Sequence, residues 1–307
     1  MDITVIINTM LELFIMMAIG YILMKKQWID DAFTSKLNFM VLNVTTPFLI
    51  LNSVYSQKPD DKSIVFLLIG IGILMYLIIL PLLSIIVVKL LRIEPEKQGI
   101  YRFMTIYANT GFMGFPVMNA LYGPFGVFCM AMINMLFNVS VFTYGIYLMT
   151  KGQDTGKSFN IKSLMTPAII MSIVGIFLFI FEIGMPSPIL NVASSVGSMT
   201  TPLAMILIGA SLSKMNFKEL FGDLQLLAFV PVKMLVLPAA GYFCLKLFNM
   251  DLVIKACILM IMALPVGNMT VLLANQYKVH QELAAKSVFI TTLASLITIP
   301  VVAVLFL

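Results

Sequence analysis

The sequence predicts an all-α polytopic membrane protein of ten transmembrane helices in two inverted five-helix repeats, with helices 4 and 9 broken. Three observations carry that expectation: composition, the spacing of apolar runs, and a repeated pattern that links the two halves. Of 307 residues, 61% are hydrophobic and only 11% are charged, where a soluble domain carries roughly 25% charged residues. Mean hydropathy is +1.04. Disorder is excluded by the same figures, because a disordered chain needs low hydrophobicity and high charge. A spanning helix uses about 20 apolar residues, which leaves room for ten spans and for no sizeable soluble domain.

Charges and turn residues divide the apolar sequence into runs near 3–24, 33–54, 63–91, 100–121, 125–150, 163–183, 188–212, 223–248, 252–276 and 282–306. Most boundaries are polar, as at Lys25-Lys26-Gln27, Gln57-Lys58-Pro59-Asp60-Asp61, Glu94-Pro95-Glu96-Lys97 and Lys151-Gly152-Gln153-Asp154. Two rest on glycine and proline, Tyr122-Gly123-Pro124 and Phe221-Gly222-Asp223. The first run begins at Ile3 without a preceding basic region, so a cleaved signal peptide is not expected.

Loop charge sets the orientation. With the N-terminus outside, the inner loops hold Lys25, Lys26, Lys36, Lys89, Arg92, Lys97, Arg102, Lys151, Lys157, Lys162, Lys214, Lys218, Lys278 and Lys286. The outer loops hold only Lys58, Lys62, Lys246 and Lys255. Cytoplasmic loops are the Lys- and Arg-rich ones. Both termini are therefore expected on the extracellular or periplasmic side of a plasma or bacterial inner membrane. The net charge of +5 then reflects topology, and no run of like charges suggests nucleic acid as a partner.

A repeat lies within the ten runs. Asn43-Val44-Thr45-Thr46-Pro47 resembles Ser198-Met199-Thr200-Thr201-Pro202, about 155 residues later, and the same offset carries Tyr122 onto Tyr277. An odd number of spans per half reverses the second half in the membrane. The expected domains are thus residues 1–150, a cytoplasmic connection at 151–162, and an inverted second repeat at 163–307. Inverted repeats with broken helices near the midplane characterise many secondary transporters.

Both equivalent runs, the fourth and the ninth, are interrupted. The fourth reads Asn109-Thr110-Gly111-Phe112-Met113-Gly114-Phe115-Pro116, the ninth Ala263-Leu264-Pro265-Val266-Gly267-Asn268. Proline removes a backbone donor and clashes with the preceding turn, and glycine permits unwinding. Unwound backbone is tolerated at membrane depth only where it meets protein or lines a cavity, and a restarting helix presents N–H groups that suit a carboxylate. Asn109, Thr110, Gly111, Pro265, Val266, Gly267 and Asn268 are the expected substrate-binding residues. A kinked helix with asparagine as interhelical glue is the structural alternative.

Two ionisable residues lie within runs, Glu12 in the first and Lys233 in the eighth. An intramembrane charge is costly and is expected to be paired, snorkelling or functional, so Glu12 is a candidate coupling site and Lys233 a candidate countercharge for an organic anion. Glu182 lies at a run end and is expected at the interface. Thr46, Pro47, Thr201, Pro202 and Pro116 are expected to support the helix breaks, since threonine hydroxyls can satisfy carbonyls freed by proline. Three cysteines without CxxC spacing point to inert packing, and the 25 methionines to adaptable helix interfaces. A single histidine, His280, leaves no metal cluster and no histidine-based catalytic triad.

The Asn109–Pro116 segment followed by Leu121-Tyr122-Gly123, and Ala263–Asn268 followed by Ala274-Asn275-Gln276-Tyr277, resemble the auxin efflux carrier family along essentially the whole chain. The resemblance implies a scaffold or panel domain and a transport domain, as in bile-acid symporter-like folds, with helices crossing at the interrupted spans. Asn109 matches the family's asparagine at the first crossing, and Pro265 its proline at the second. Bacterial members are permeases for small organic acids such as malate or malonate; plant members export indole-3-acetate. The connection around Lys151 to Lys162 is short, unlike the long loop of many plant members, which favours a compact bacterial-type permease.

The function expected is secondary active transport of small organic anions, dicarboxylates or auxin-like carboxylates, by alternating access around spans 4 and 9. A sodium-coupled symporter of the bile-acid type and an anion channel are the alternatives. No cofactor is expected apart from a coupling Na+ or H+. The partners are the organic anion, the lipid bilayer and, as a candidate, a second copy in a homodimer. No GxxxxGK[ST] motif supports an ATP-driven pump, and no acid–base or nucleophile constellation supports an enzyme.

Overall fold

The structure is a computed structural model that describes residues 3–55, 63–150, 167–213 and 223–307. The expected boundary residues 57–61, the connection at 151–162, Lys214, Lys218 and Phe221-Gly222 lie outside the described residues. In chain order the α-helices are α1 (Ile3–Lys25), α2 (Asp31–Met40), α3 (Thr46–Tyr55), α4 (Ser63–Leu74), α5 (Leu80–Leu90), α6 (Gln98–Ile106), α7 (Phe115–Ser140), α8 (Ile146–Thr150), α9 (Pro167–Ile180), α10 (Ser187–Ser198), α11 (Thr200–Ser213), α12 (Leu224–Pro231), α13 (Leu237–Leu245), α14 (Leu252–Ala263), α15 (Met269–Tyr277) and α16 (Gln281–Phe306). Among the described residues, five helical stretches are long and apolar enough to cross a membrane: Ser63–Leu90, Thr110–Phe137, Ser187–Ser211, Leu224–Leu245 and Gln281–Phe306.

Ser63–Leu90 shows why these helices belong in lipid. One stripe, with Val65, Leu68, Met75, Tyr76, Leu80 and Val87, is buried; the opposite stripe exposes Phe66, Ile73, Leu77, Leu82, Ile86 and Leu90. A soluble surface helix would carry polar residues on that second face, whereas a helix apolar all round sits in a large core or a membrane.

Prolines shape the helices in a regular way. Pro47, Pro81, Pro116 and Pro238 each occupy the second residue of an α-helix. Each is preceded by a five-residue π-helical turn: Val41–Thr45, Met75–Ile79, Thr110–Gly114 and Val232–Val236 respectively. A proline ring collides with the carbonyl four residues back, and a wider turn accommodates it. The residue before the proline then bonds five residues back, Thr46 N–H to Val41 O, Leu80 N–H to Met75 O and Leu237 N–H to Val232 O.

Helix ends are set by polar residues. Asp30, Asp223 and Asp251 cap α2, α12 and α14, accepting from Phe33, Leu226 and Val253 N–H at 2.7, 3.0 and 2.8 Å; such a cap replaces a missing helical acceptor. Gln27, Arg92, Glu182 and Lys278 take left-handed backbone angles just past α1, α5, α9 and α15. The apolar residue that follows each one, Trp28, Ile93, Ile183 or Val279, donates back to the helix at 2.9–3.0 Å, closing the C-terminal turn. Within α7, Gly123 (φ 61°, ψ −153°) breaks the helix ahead of Pro124.

The described chain forms two compact units, and each draws on both halves of the sequence. One contains α1 to α3, most of α4, α7 up to Met135, and α9 to α11. In it α1 and α11 run antiparallel at backbone distance. A Cβ on Gly20 would lie 2.0 Å from Ile206 O, and one on Gly209 would lie 1.8 Å from Met17 O. Small residues that let helix backbones touch are a principal device of packing in lipid. Gly197 of α10 meets the Leu49 backbone of α3 in the same way.

The other unit contains the end of α4, α5, α6, the end of α7, α8, and α12 to α16. Its core holds an aromatic group in which Tyr76 and Tyr107 each meet Phe137 edge-on, at 5.8 and 5.6 Å. The Tyr107 hydroxyl donates to Ser140 O at 2.8 Å and lies 2.7 Å from Ser140 Oγ, so the phenol that a lipid-facing core could not accept alone is satisfied. On the polar rim of this unit, a His280 ring nitrogen lies 3.0 Å from the Glu96 carbonyl.

Candidate functional site: two helix breaks joined by main chain

Residues 107–110 of the first interruption and 264–268 of the second lie within the second unit and meet. Helix α6 ends at Ile106, and Tyr107 leaves helical geometry (φ −102°, ψ 88°); α14 ends at Ala263, and Leu264 becomes extended (φ −60°, ψ 147°). Ala108 and Val266 then pair as a single antiparallel bridge. Asn109 N–H donates to Pro265 O at 2.8 Å, and Gly267 N–H donates to Tyr107 O at 3.0 Å. Backbone groups stripped of helical partners inside a membrane must find others, and these two breaks supply each other.

Proline and glycine have distinct parts in this pair. Pro265 lacks the N–H that would continue α14 and offers its carbonyl to Asn109. Gly267 is there because the chains approach too closely for a side chain. A Cβ at this position would lie 2.9 Å from Ala108 O and 3.0 Å from Tyr107 O.

A third element anchors the pair. Val266 N–H donates to Thr291 Oγ1 of α16 at 3.0 Å, and Thr291 Oγ1 donates to Ser287 O at 2.7 Å. Thr291 belongs to a buried stripe on α16 with Ser287, Ser295 and Thr298. The sequence reading missed it, since serines and threonines at helical spacing in an apolar run look like ordinary helix packing. Thr270, in the first turn of α15, was missed too; its hydroxyl is buried and meets no protein partner.

The sequence-derived candidates fall in different environments. Asn109 and Thr110 are buried, at 4% and 2% exposure, and Pro265, Val266 and Gly267 are buried beside them. Asn268 is exposed at the start of α15, where its carbonyl accepts from Leu272 N–H at 3.1 Å. Gly111 is half-buried, and a side chain there would meet only the tip of Leu42, at 3.8 Å. Pro116 is buried in the first turn of α7.

Pro47 and Thr46 are buried, while Thr201 and Pro202 are half-buried in the first turn of α11. Thr45 Oγ1 donates to Val41 O at 3.4 Å. The hydroxyls of Thr46 and Thr200 meet no protein partner, so the carbonyl-satisfying geometry occurs at Thr45. Glu12 is exposed on the surface of α1. Lys233 is wholly buried, and its Nζ donates to Met262 O at 3.4 Å, at the end of α14. Cys129 and Cys257 are buried thiols, and Cys244 is an exposed one.

The chain matches a family model described as "Membrane transport protein", and the match occurs twice, over residues 5–157 and 153–303. It is 26% identical over 300 residues to an uncharacterized transporter of Methanocaldococcus jannaschii, covering 95% of this chain and 96% of that one. It is 23% identical over 308 residues to an uncharacterized transporter of Methanothermobacter thermautotrophicus, again covering 95% and 96%. With apolar helices, exposed lipid-type surfaces and a family match over both halves, the chain is a multi-pass membrane protein that belongs to the membrane transport protein family, the auxin efflux carriers.

Proposed function

We propose that this protein is a secondary transporter of small organic anions that works by alternating access around the joined breaks. In this reading the chain crosses the membrane ten times as two inverted five-helix repeats, with both termini outside. The double match to one family model supports the repeat, and the excess of lysine and arginine in alternate loops supports the orientation. The observation that carries the reading is the antiparallel bridge between Ala108 and Val266, which brings a discontinuous helix from each half to one place. Such helices form the substrate sites of inverted-repeat carriers.

Asn109, Thr110 and Asn268 bind the carboxylate in this proposal. The restarting segments after each break contribute backbone donors, as helix N-termini do for anions generally. Pro265 and Gly267 hold the geometry, and Val266 links it to α16 through Thr291.

The test is uptake of labelled malate, malonate and indole-3-acetate by proteoliposomes, with Asn109→Ala beside the wild type. Saturable uptake of at least one anion, lowered about tenfold or more by the substitution, is the expected result; a buried amide contact to a charged group is worth about that much. Unsaturable ionic current would replace the carrier with a channel. Full uptake by well-folded Asn109→Ala would move the site away from the breaks.

A further inference from the structure

The break in α14 leaves an account of carbonyl groups that one lysine helps to close. In an uninterrupted helix, Met262 O would accept from Val266 N–H, and Ala263 O from Gly267 N–H. Val266 N–H instead serves Thr291 Oγ1, Gly267 N–H serves Tyr107 O, and Pro265 deprives Ile261 O of any helical donor. Three successive carbonyls at the end of α14 have therefore lost their helical partners. They lie at the negative end of the helix dipole. Carbonyls at the C-terminal end of a broken transporter helix are where a coupling cation is usually coordinated.

Lys233 reaches this end. It lies in the π-helical turn Val232–Val236, between Pro231 and Pro238, and its side chain is completely buried. Its Nζ donates to Met262 O at 3.4 Å, one of the three freed carbonyls. Among the described residues, no aspartate or glutamate is buried. The elements packed on this turn are α12, α13, α14 and α16. The acids at their ends are otherwise engaged: Asp223 and Asp251 cap helices, and Glu282 is exposed and paired with Lys286. Lys255, Lys286, Tyr242, Cys244 and Cys257 are the other titratable groups on these helices. An ammonium buried in a membrane protein without a counter-anion is expensive, and here its structural partner is the end of a broken helix.

We propose that Lys233 is a tethered cation: its ammonium stands where a coupling ion would bind at the end of α14, holds the broken helix in place, and frees the carrier from any need for Na+. Lys233 is thus a positioning residue whose charge substitutes for a dissociable ion. The transport consequence rests on the carrier reading above, whereas the cation site itself does not.

The experiment has two arms. In the first, uptake by wild-type proteoliposomes is compared in Na+, K+ and choline media, and equal rates are expected; uptake that requires Na+ overturns the proposal. In the second, thermal unfolding of the purified wild type and of Lys233→Ala is followed in detergent with and without methylammonium. The alanine variant is expected to melt lower and to regain part of the loss with methylammonium, while the wild type does not respond. Its uptake should fall about tenfold or more, the scale of removing a charged buried hydrogen bond, and recover in part with the same ion. A variant whose melting ignores methylammonium overturns the proposal. Lys233→Met, which keeps the stem and vacates only the amine, carries this arm with ammonium in place of methylammonium if the alanine variant does not fold. A protein that moves no organic anion would sink the carrier reading and leave the melting arm decisive for Lys233.

Discussion

Gly267→Ala places a methyl group against main chain that has nowhere to go. The new Cβ would lie 2.9 Å from Ala108 O, 3.0 Å from Tyr107 O and 3.1 Å from Ala108 C. These neighbours are backbone atoms, held in turn by the bonds from Gly267 N–H to Tyr107 O and from Asn109 N–H to Pro265 O. Relief requires the two breaks to separate by several tenths of an ångström, which stretches both bonds. Overpacking of this kind costs about 1–3 kcal/mol, equivalent to about 5- to 150-fold in an equilibrium that depends on the closed bridge. The expected result is a lower Tm in detergent and uptake reduced within that range. Gly70→Ala is the control, because a Cβ at Gly70 meets nothing within 4 Å and alanine favours helix over glycine by about 1 kcal/mol. Gly267→Ala that melts and transports like the wild type would refute the claim that close main-chain approach at the bridge underlies function.

Three further outcomes follow from the same geometry. Thr291→Val keeps the shape of the side chain but leaves Val266 N–H without its acceptor, at a cost of about 1–3 kcal/mol; uptake should fall, and Thr291→Ser should restore most of it. Gly209→Leu drives a side chain into the Met17 carbonyl and should lower the yield and Tm of folded protein, whereas Gly184→Leu, which meets nothing within 4 Å, should not. Pro238→Ala removes the ring that the wide turn at Val232–Val236 accommodates. If that turn sets the reach of Lys233, the substitution should weaken uptake while the fold survives, which circular dichroism beside the transport assay would show.

Helix limits were largely legible in the sequence, for a physical reason. Spans in lipid need long apolar runs, and the ends of α1 and α5 and the start of α16 fall within a residue or two of polar or turn residues. The location of the interruptions was legible too, because Pro265, Gly267 and the Asn109-Thr110-Gly111 group are foreign to an apolar helix. Which atoms meet was not. The offset of about 155 aligns Asn109 with Leu264, a correspondence between repeats, whereas the contact joins Asn109 N–H to Pro265 O. Lys233 was conspicuous as a charge, but its partner is a main-chain carbonyl of an apolar residue, Met262, which leaves no mark in a sequence. The π-helical turns were foreseeable in part, since four of them precede a proline by the same interval. The turn at Val141–Gly145 has no such proline and left no comparable mark in the sequence.

The bridge between the two breaks is built from amides and carbonyls alone. Its two bonds involve the main chain of Tyr107, Asn109, Pro265 and Gly267, and no side-chain atom takes part in either. The joint therefore asks nothing of the side chains at 108 and 266 beyond a fit to their buried surroundings, whereas position 267 must stay free of one. In the carrier reading proposed above, a lineage of such proteins would alter its cargo through the side chains that flank the bridge and keep the main-chain joint itself unchanged.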